Sequence, residues 1–189
     1  MFVQTEIGKA PNQLCRYTRE RHEELAQRYG FQTFQPADRA MVDRYSAESI
    51  FFDLSFTNFW AWDLNFHYRW RMVEDTLTIV YINLDRRPVA ILMPGPSRRL
   101  GEAMALVREM FREAAYSAVF AYVPEMWLPL FQGAGARVEC SFDRDWSDYV
   151  YRVPDFVNLE GGENKSKRRE LKLFETQGSV EFRSLGPDS

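Results

Sequence analysis

The feature that most constrains this chain is a change of period at His67. From there three runs follow in quick succession, His67 to Val73, Thr76 to Leu84 and Pro88 to Met93, rich in β-branched and apolar residues. The breaks between them, Glu74-Asp75 and Asp85-Arg86-Arg87, are short and polar and suit hairpin turns. The expectation is an antiparallel meander around which everything else must pack.

Helical spacing flanks this meander. Pro94-Gly95-Pro96-Ser97 ends the third run, and Leu100, Met104, Val107, Phe111 and Ala114 then recur at helical steps, which predicts a helix with one buried face. Ala118 to Val123 is a continuous apolar run that fits a strand covered on both sides, and Pro124 starts a helix that Gly133 and Gly135 terminate. Gly135 to Val138 then enters a further strand, and a closing strand is expected near Asp148 to Arg152. Upstream, Pro36 opens a helix with Ala37, Met41 and Tyr45 on one stripe, and a second helix follows Asp53 and Ser55. Residues 1–33, crowded with Arg16, Arg19, Glu20, Arg21, Glu23, Glu24 and Arg28, read as a mobile polar arm carrying one polar helix. Beyond Pro154 the composition shifts: Glu163 to Gln177 is helical in pattern and basic at its start, and Val180 to Phe182 reads as a strand. The chain is therefore expected as an arm (1–33), an α/β domain (34–153) and a basic helix with a strand (154–189).

Composition narrows the class. A chain of 189 residues, 46% hydrophobic and 27% charged, fits one globular domain with a short appendage and excludes collagen-like, coiled-coil and wholly disordered chains. Aromatic residues make up 15%, so the core must be built largely from rings. A net charge of -3 argues against nucleic-acid binding over a whole face and leaves only local patches. Cys15 and Cys140 fit no metal-binding or disulfide spacing, which makes a reducing cytoplasm the default. No secretory signal opens the chain, and Pro124, Glu125 and Pro129 interrupt its best apolar stretch, so no transmembrane segment is expected. The expectation is a soluble protein, at most peripheral to a membrane.

Two segments carry chemistry. Arg98-Arg99-Leu100-Gly101-Glu102-Ala103 follows a strand and opens the long helix as R-x-x-G-x-A. It resembles the acyl-CoA pyrophosphate loop of the GNAT acyltransferase superfamily, in which small residues let backbone N–H groups approach a phosphate at a helix N-terminus and an arginine adds a charged donor. The resemblance makes Arg98, Arg99, Gly101 and Ala103 the cofactor-binding candidates and acyl-CoA the donor. Glu102 opposes it, and the alternative is that Gly101 serves packing while both arginines are solvated. The second segment is basic. Lys165, Lys167, Arg168, Arg169 and Lys172 give residues 163–172 a net charge of +3, and three of the four lysines in the chain lie here. Such a face suits the phosphates of tRNA or an anionic lipid surface, or simply keeps the helix solvated.

A wider resemblance spans about residues 34 to 183. Ser55-Phe56-x-Asn58 with Trp60 and Trp62, Asp148-Tyr149-Val150-Tyr151, Leu159-x-Gly161, Lys167-Arg168 and Phe174 recur in order, with similar spacing, in the family related to the C-terminal domain of phosphatidylglycerol lysyltransferase. That family has two tandem GNAT-like units, and its best-known members transfer an aminoacyl group from charged tRNA to a lipid headgroup. The resemblance implies a GNAT-like α/β fold with a mixed, largely antiparallel sheet flanked by helices. It also implies one such unit plus the start of a second, in an incomplete or degenerate relative of aminoacyl or acyl transferases that acts as a binding or assembly unit. The strand at Val180 to Phe182 would then need its own domain, a second copy or a partner chain to cover it.

No nucleophile and base pair stands out. Glu125, at a helix start after a strand, is the weak candidate for a base, with a helix-end carboxylate as the plain alternative. His22 is expected to be exposed and solvated on the arm, and His67 to be structural. Asp143, Asp145 and Asp148 lack the pattern of a metal loop, so no metal is expected. Trp60, Trp62 and Trp70 are expected in the core.

Overall fold

The computed structural model describes residues 2–4, 17–47, 49, 51, 53–134, 139–141 and 153–177. The chain divides into two compact units, 1–147 and 148–189. In chain order the first comprises β1 (Phe2–Gln4), α1 (Arg19–Arg28), a 3-10 turn (Pro36–Asp38), α2 (Arg39–Ser46), α3 (Phe56–Phe66), β2 (Arg69–Val73), β3 (Thr76–Ile82) and β4 (Pro88–Pro94). Then come α4 (Gly101–Glu113), β5 (Val119–Phe120), a 3-10 turn (Glu125–Trp127), α5 (Leu128–Gly133) and β6 (Glu139–Ser141). The second holds α6 (Val153–Asn158) and α7 (Lys165–Gln177).

The meander forms as expected. β2 pairs antiparallel with β3, Val73 opposite Thr76, and β3 pairs with β4 from Thr76↔Pro94 to Ile82↔Pro88. The two-residue turn between β2 and β3 places Glu74 at φ 51, the left-handed region such tight connections require. Strand order is β2-β3-β4-β5-β1-β6, and only β4 and β5 run parallel, Ala90 opposite Phe120. This is a mixed, mostly antiparallel sheet in an α/β fold. The strand β1 was not anticipated from the sequence. The strands expected at Asp148 to Arg152 and Val180 to Phe182 lie outside the described residues, as do Gly135 to Val138, Cys15, and the acidic residues Asp143, Asp145 and Asp148.

Every residue of β3 and β4 is buried, because helices cover both faces of the sheet. Val80, Ile82, Ala90 and Leu92 face one core with α1, α4 and α5, where Met104, Val107, Phe111 and Phe131 pack. Leu77, Ile79, Tyr81, Val89, Ile91 and Met93 face the other with α2 and α3. That second core is built from rings: Phe34 stacks on Phe59 at 5.3 Å and on Trp70 at 5.9 Å, and Tyr68 meets Tyr81 at 5.2 Å. The short run at β5 is covered on both sides as expected, with Phe120 in the first core and Ala121 in the second. Among the described residues no helix is long and apolar enough to cross a membrane.

Four expectations need correction. The polar helix α1 does not ride on a mobile arm: His22, Leu25 and Ala26 are fully buried, and Tyr17 just before it is too. These helix residues fall at steps of three and one, a narrow stripe that the surrounding arginines and glutamates obscure in the sequence. Trp60 and Trp62 are not core residues; they are 48% and 52% exposed, while Trp70 is buried. His67 does not begin a strand but ends α3 in the left-handed conformation, φ 52.

His22 is tied into this frame rather than solvated. Its Nε2 lies 2.8 Å from the His67 carbonyl oxygen, which can only accept, so Nε2 carries the proton. Nδ1 then accepts from the Tyr17 hydroxyl at 3.3 Å. Nearby, the buried Arg69 guanidinium forks onto Glu23 and reaches Asp63 at 3.1 Å, joining α1, α3 and β2. Burial disfavours a charged imidazole and pulls His22 from its ordinary 6.5 down to about 4. The unfolded chain therefore binds a proton that the folded chain does not across that window. Unfolding titrations should show this contribution intact above pH 6.5 and lost progressively down to about 4, a total of roughly 3 kcal/mol. The His22→Gln variant should flatten that segment of the profile.

Candidate functional site

The loop from β4 to α4 sits where β3 begins and β4 ends, beside the β2–β3 turn, because Thr76 pairs with Pro94. Asp75 in that turn holds the loop. Its carbonyl accepts the Gly95 N–H at 2.8 Å, and its carboxylate accepts the Ser97 N–H at 2.8 Å and the Ser97 hydroxyl at 2.5 Å. The Thr76 hydroxyl donates to the Arg99 carbonyl at 2.6 Å. The Ser97 bonds stabilise the ionised carboxylate and hold Asp75 below its usual range. Held in this way, the chain passes through Arg98 at φ 54, an uncommon conformation for a residue with a Cβ.

This clamp delivers the first turn of α4 without a side-chain cap. Its leading N–H groups have no intrahelical partner, and a Cβ added at Gly101 would meet nothing within 4 Å. An open cleft of about 490 Å³ lies against it, with Arg98, Arg99, Glu74 and Glu102 on one side and Pro129 and Leu130 of α5 on the other. The structure thus brings Arg98, Arg99 and Gly101 to one cleft. Ala103 is buried in the core beneath, so its smallness serves packing. Glu102 is exposed and lines the cleft, the carboxylate that the sequence set against anion binding. Glu125 is exposed at the start of its 3-10 turn and is not among the lining residues.

In the second unit the basic residues separate into two roles. The Arg168 guanidinium donates to the carbonyls of Leu159 and Gly161, the latter at 2.8 Å, and closes a loop in which both residues have positive φ. It is consumed in holding the entry to α7. Lys165 and Arg169, one turn apart and exposed, line a groove of about 480 Å³ with Ser166, Glu170 and Leu173. Lys167 and Lys172 are exposed elsewhere on the helix. Among the described residues no three His, Cys, Asp or Glu side chains are grouped to hold a metal ion.

Sequence reasoning missed Asp75, Ser97 and Thr76. A turn carboxylate two strands upstream of a Gly-Pro-Ser exit was the available signal, but 22 residues separate Asp75 from Ser97.

A mixed, mostly antiparallel sheet with helices on both faces defines an α/β domain. The chain belongs to the phosphatidylglycerol lysyltransferase C-terminal family, whose profile matches residues 47–188. A crystal structure of a conserved protein of unknown function from Bacteroides thetaiotaomicron VPI-5482 is similar to it, with a TM-score of 0.62 at 18% identity. That match covers 78% of this chain and 50% of the other, so this chain spans about half the length of its structural relative. At such identity the likeness speaks for the fold alone. Among curated proteins nothing matches the chain.

The two glycines of the loop should respond oppositely to substitution. A Cβ at Gly95 would lie 2.4 Å from the Asp75 carbonyl oxygen, so Gly95→Ala should force the clamp apart and cost about 1–3 kcal/mol in urea unfolding. Gly101→Ala meets open space in helical backbone and should be neutral or slightly stabilising in the same measurement.

Proposed function

We propose that this chain binds the phosphate groups of an acyl or aminoacyl carrier at the start of α4, as a carrier-binding unit for group transfer rather than a self-sufficient catalyst. The observation that carries this reading is the Asp75 clamp, which presents Arg98, Arg99 and an uncapped helix end to one cleft. Uncapped N–H groups and the positive end of the helix favour an anion there, and arginine adds directional donors. The assignment as a binding unit follows from what surrounds the cleft. Both histidines of the chain are engaged with the backbone or buried away from it, and Glu125 does not line it. The family is described by a lysyltransferase acting on phosphatidylglycerol. This favours an aminoacyl carrier over a thioester, and both share the phosphate chemistry.

Calorimetry with acetyl-CoA and, separately, with aminoacylated tRNA distinguishes the two carriers. Micromolar binding of one of them, lost in Gly101→Glu, is the expected result. That variant places a carboxylate in open space and should leave the fold intact. Silence toward both carriers would overturn the proposal.

A second reading rests on α7, where Lys165 and Arg169 are exposed along one groove. This face suits a polyanion such as tRNA, with affinity falling steeply as salt rises. Lys165→Glu with Arg169→Glu should weaken tRNA binding and reduce the slope of log K against log salt by about two. An unchanged slope in filter-binding measurements would remove this reading.

A further inference from the structure

We propose that Glu74 and Glu102 are specificity-determining residues of the α4 cleft, restricting its ligand to one that presents a single negative charge there. The class this names is a phosphodiester on an uncharged organic body, in preference to a pyrophosphate or a terminal phosphate. The inference rests on the phosphate site of the carrier-binding reading and deepens it. Both carboxylates are set by the frame. Glu74 sits at φ 51 in the two-residue turn, between Val73, which pairs with Thr76, and Asp75, whose carbonyl accepts the Gly95 N–H. Glu102 lies in the first turn of α4, where a carboxylate competes with a ligand for the same positive helix end. Both side chains are exposed and line the cleft.

Charge sets the limit. Arg98 and Arg99 line the cleft against Glu74 and Glu102, and α5, which forms the other wall, contributes no ionisable side chain. A further charge stands behind the loop. The Asp75 carboxylate accepts both Ser97 donors, which keep it ionised, and it also feels the Arg99 guanidinium. Three carboxylates thus surround two guanidiniums, and the start of α4, equivalent to about half a positive charge, offsets only part of the difference. The first negative charge of a ligand is met by directional bonds from the leading N–H groups of α4 and from a guanidinium. A second negative charge finds no uncompensated positive charge and faces Glu74 and Glu102 across the same cleft. Discrimination arises here from the repulsive groups as much as from the attractive ones.

The test titrates the intact chain calorimetrically with three ligands that share one organic body: the methyl ester of adenosine monophosphate, adenosine monophosphate and adenosine diphosphate. Their phosphates carry about one, two and three negative charges at slightly alkaline pH. The parent chain should bind the ester tightest and the diphosphate weakest. Glu74→Gln with Glu102→Gln should raise affinity for the diphosphate about tenfold and for the ester less than about threefold, flattening or inverting the order. Salt gives a second readout. Screening should leave diphosphate binding to the parent unchanged or stronger, and should weaken it in the glutamine variant. Thermal unfolding should stay cooperative, because both side chains are exposed. Lys165→Glu with Arg169→Glu should leave the whole series as it was. Tighter binding of the diphosphate than of the ester by the parent would overturn the proposal, as would a ratio that the glutamine variant leaves unchanged or a series that the α7 variant abolishes. So would absence of binding of all three ligands to parent and variant alike. Silence toward acetyl-CoA and aminoacylated tRNA, with the adenosine series still ordered and reset by the glutamine variant, would strike the carrier reading alone and leave this inference standing.

Discussion

The ladder between β3 and β4 is the constraint on which the rest of the structure depends. Seven residue pairs run from Thr76↔Pro94 to Ile82↔Pro88, and every residue in both strands is buried. Strands with no solvent face need helices on each side, and the pleat sends alternate residues to two separate cores. One core takes α1, α4 and α5, and the other takes α2 and α3. Because α1 supplies His22, Leu25 and Ala26 to this arrangement, a helix that is polar over most of its surface becomes part of the frame.

The same ladder fixes what each of its ends can do. At one end, antiparallel pairing sets the β2–β3 turn beside the exit of β4, so that a carboxylate in the turn can organise the loop. Three bonds from Asp75 and one from Thr76 convert a run of Gly-Pro-Ser-Arg-Arg into a defined entry to α4. The positive φ at Arg98 is a local cost that those bonds offset. At the other end the β3–β4 hairpin is closed by two bonds between Asn83 and Arg87.

Much of the frame was legible in the sequence because it is written in local period. The three strands of the meander, the buried stripe of α4 and the two-sided burial around Phe120 all follow from spacing within a dozen residues or fewer. The docking of α1 was not legible, since its buried stripe is short and lies among arginines and glutamates that dominate the composition. Trp60 and Trp62 misled for the opposite reason: size and apolarity pointed inward, yet Phe56 and Phe59 already occupy the face of α3 that meets the sheet. At the site, Arg98, Arg99 and Gly101 were visible as a motif, whereas the Asp75 clamp depends on strand register and has no local signature. Arg168 shows the converse, a residue legible as cationic whose donors the fold directs to the carbonyls of Leu159 and Gly161.

The charges around the cleft at α4 also constrain the proposed anion binding. Arg98 and Arg99 face it together with Glu74 and Glu102, so its side chains carry no net formal charge. An approaching phosphate therefore gains little long-range attraction, which in water amounts to only about 1 kcal/mol per unit charge at 4 Å in any case. Affinity must then come from short, directional bonds to the leading N–H groups of α4 and the guanidinium planes, and from contact that the rest of the ligand makes with Pro129 and Leu130. Free inorganic phosphate offers only the first of these. A carrier with a phosphate group and an extended organic body offers both, so the carrier-binding proposal requires preference for such a ligand over the simple ion.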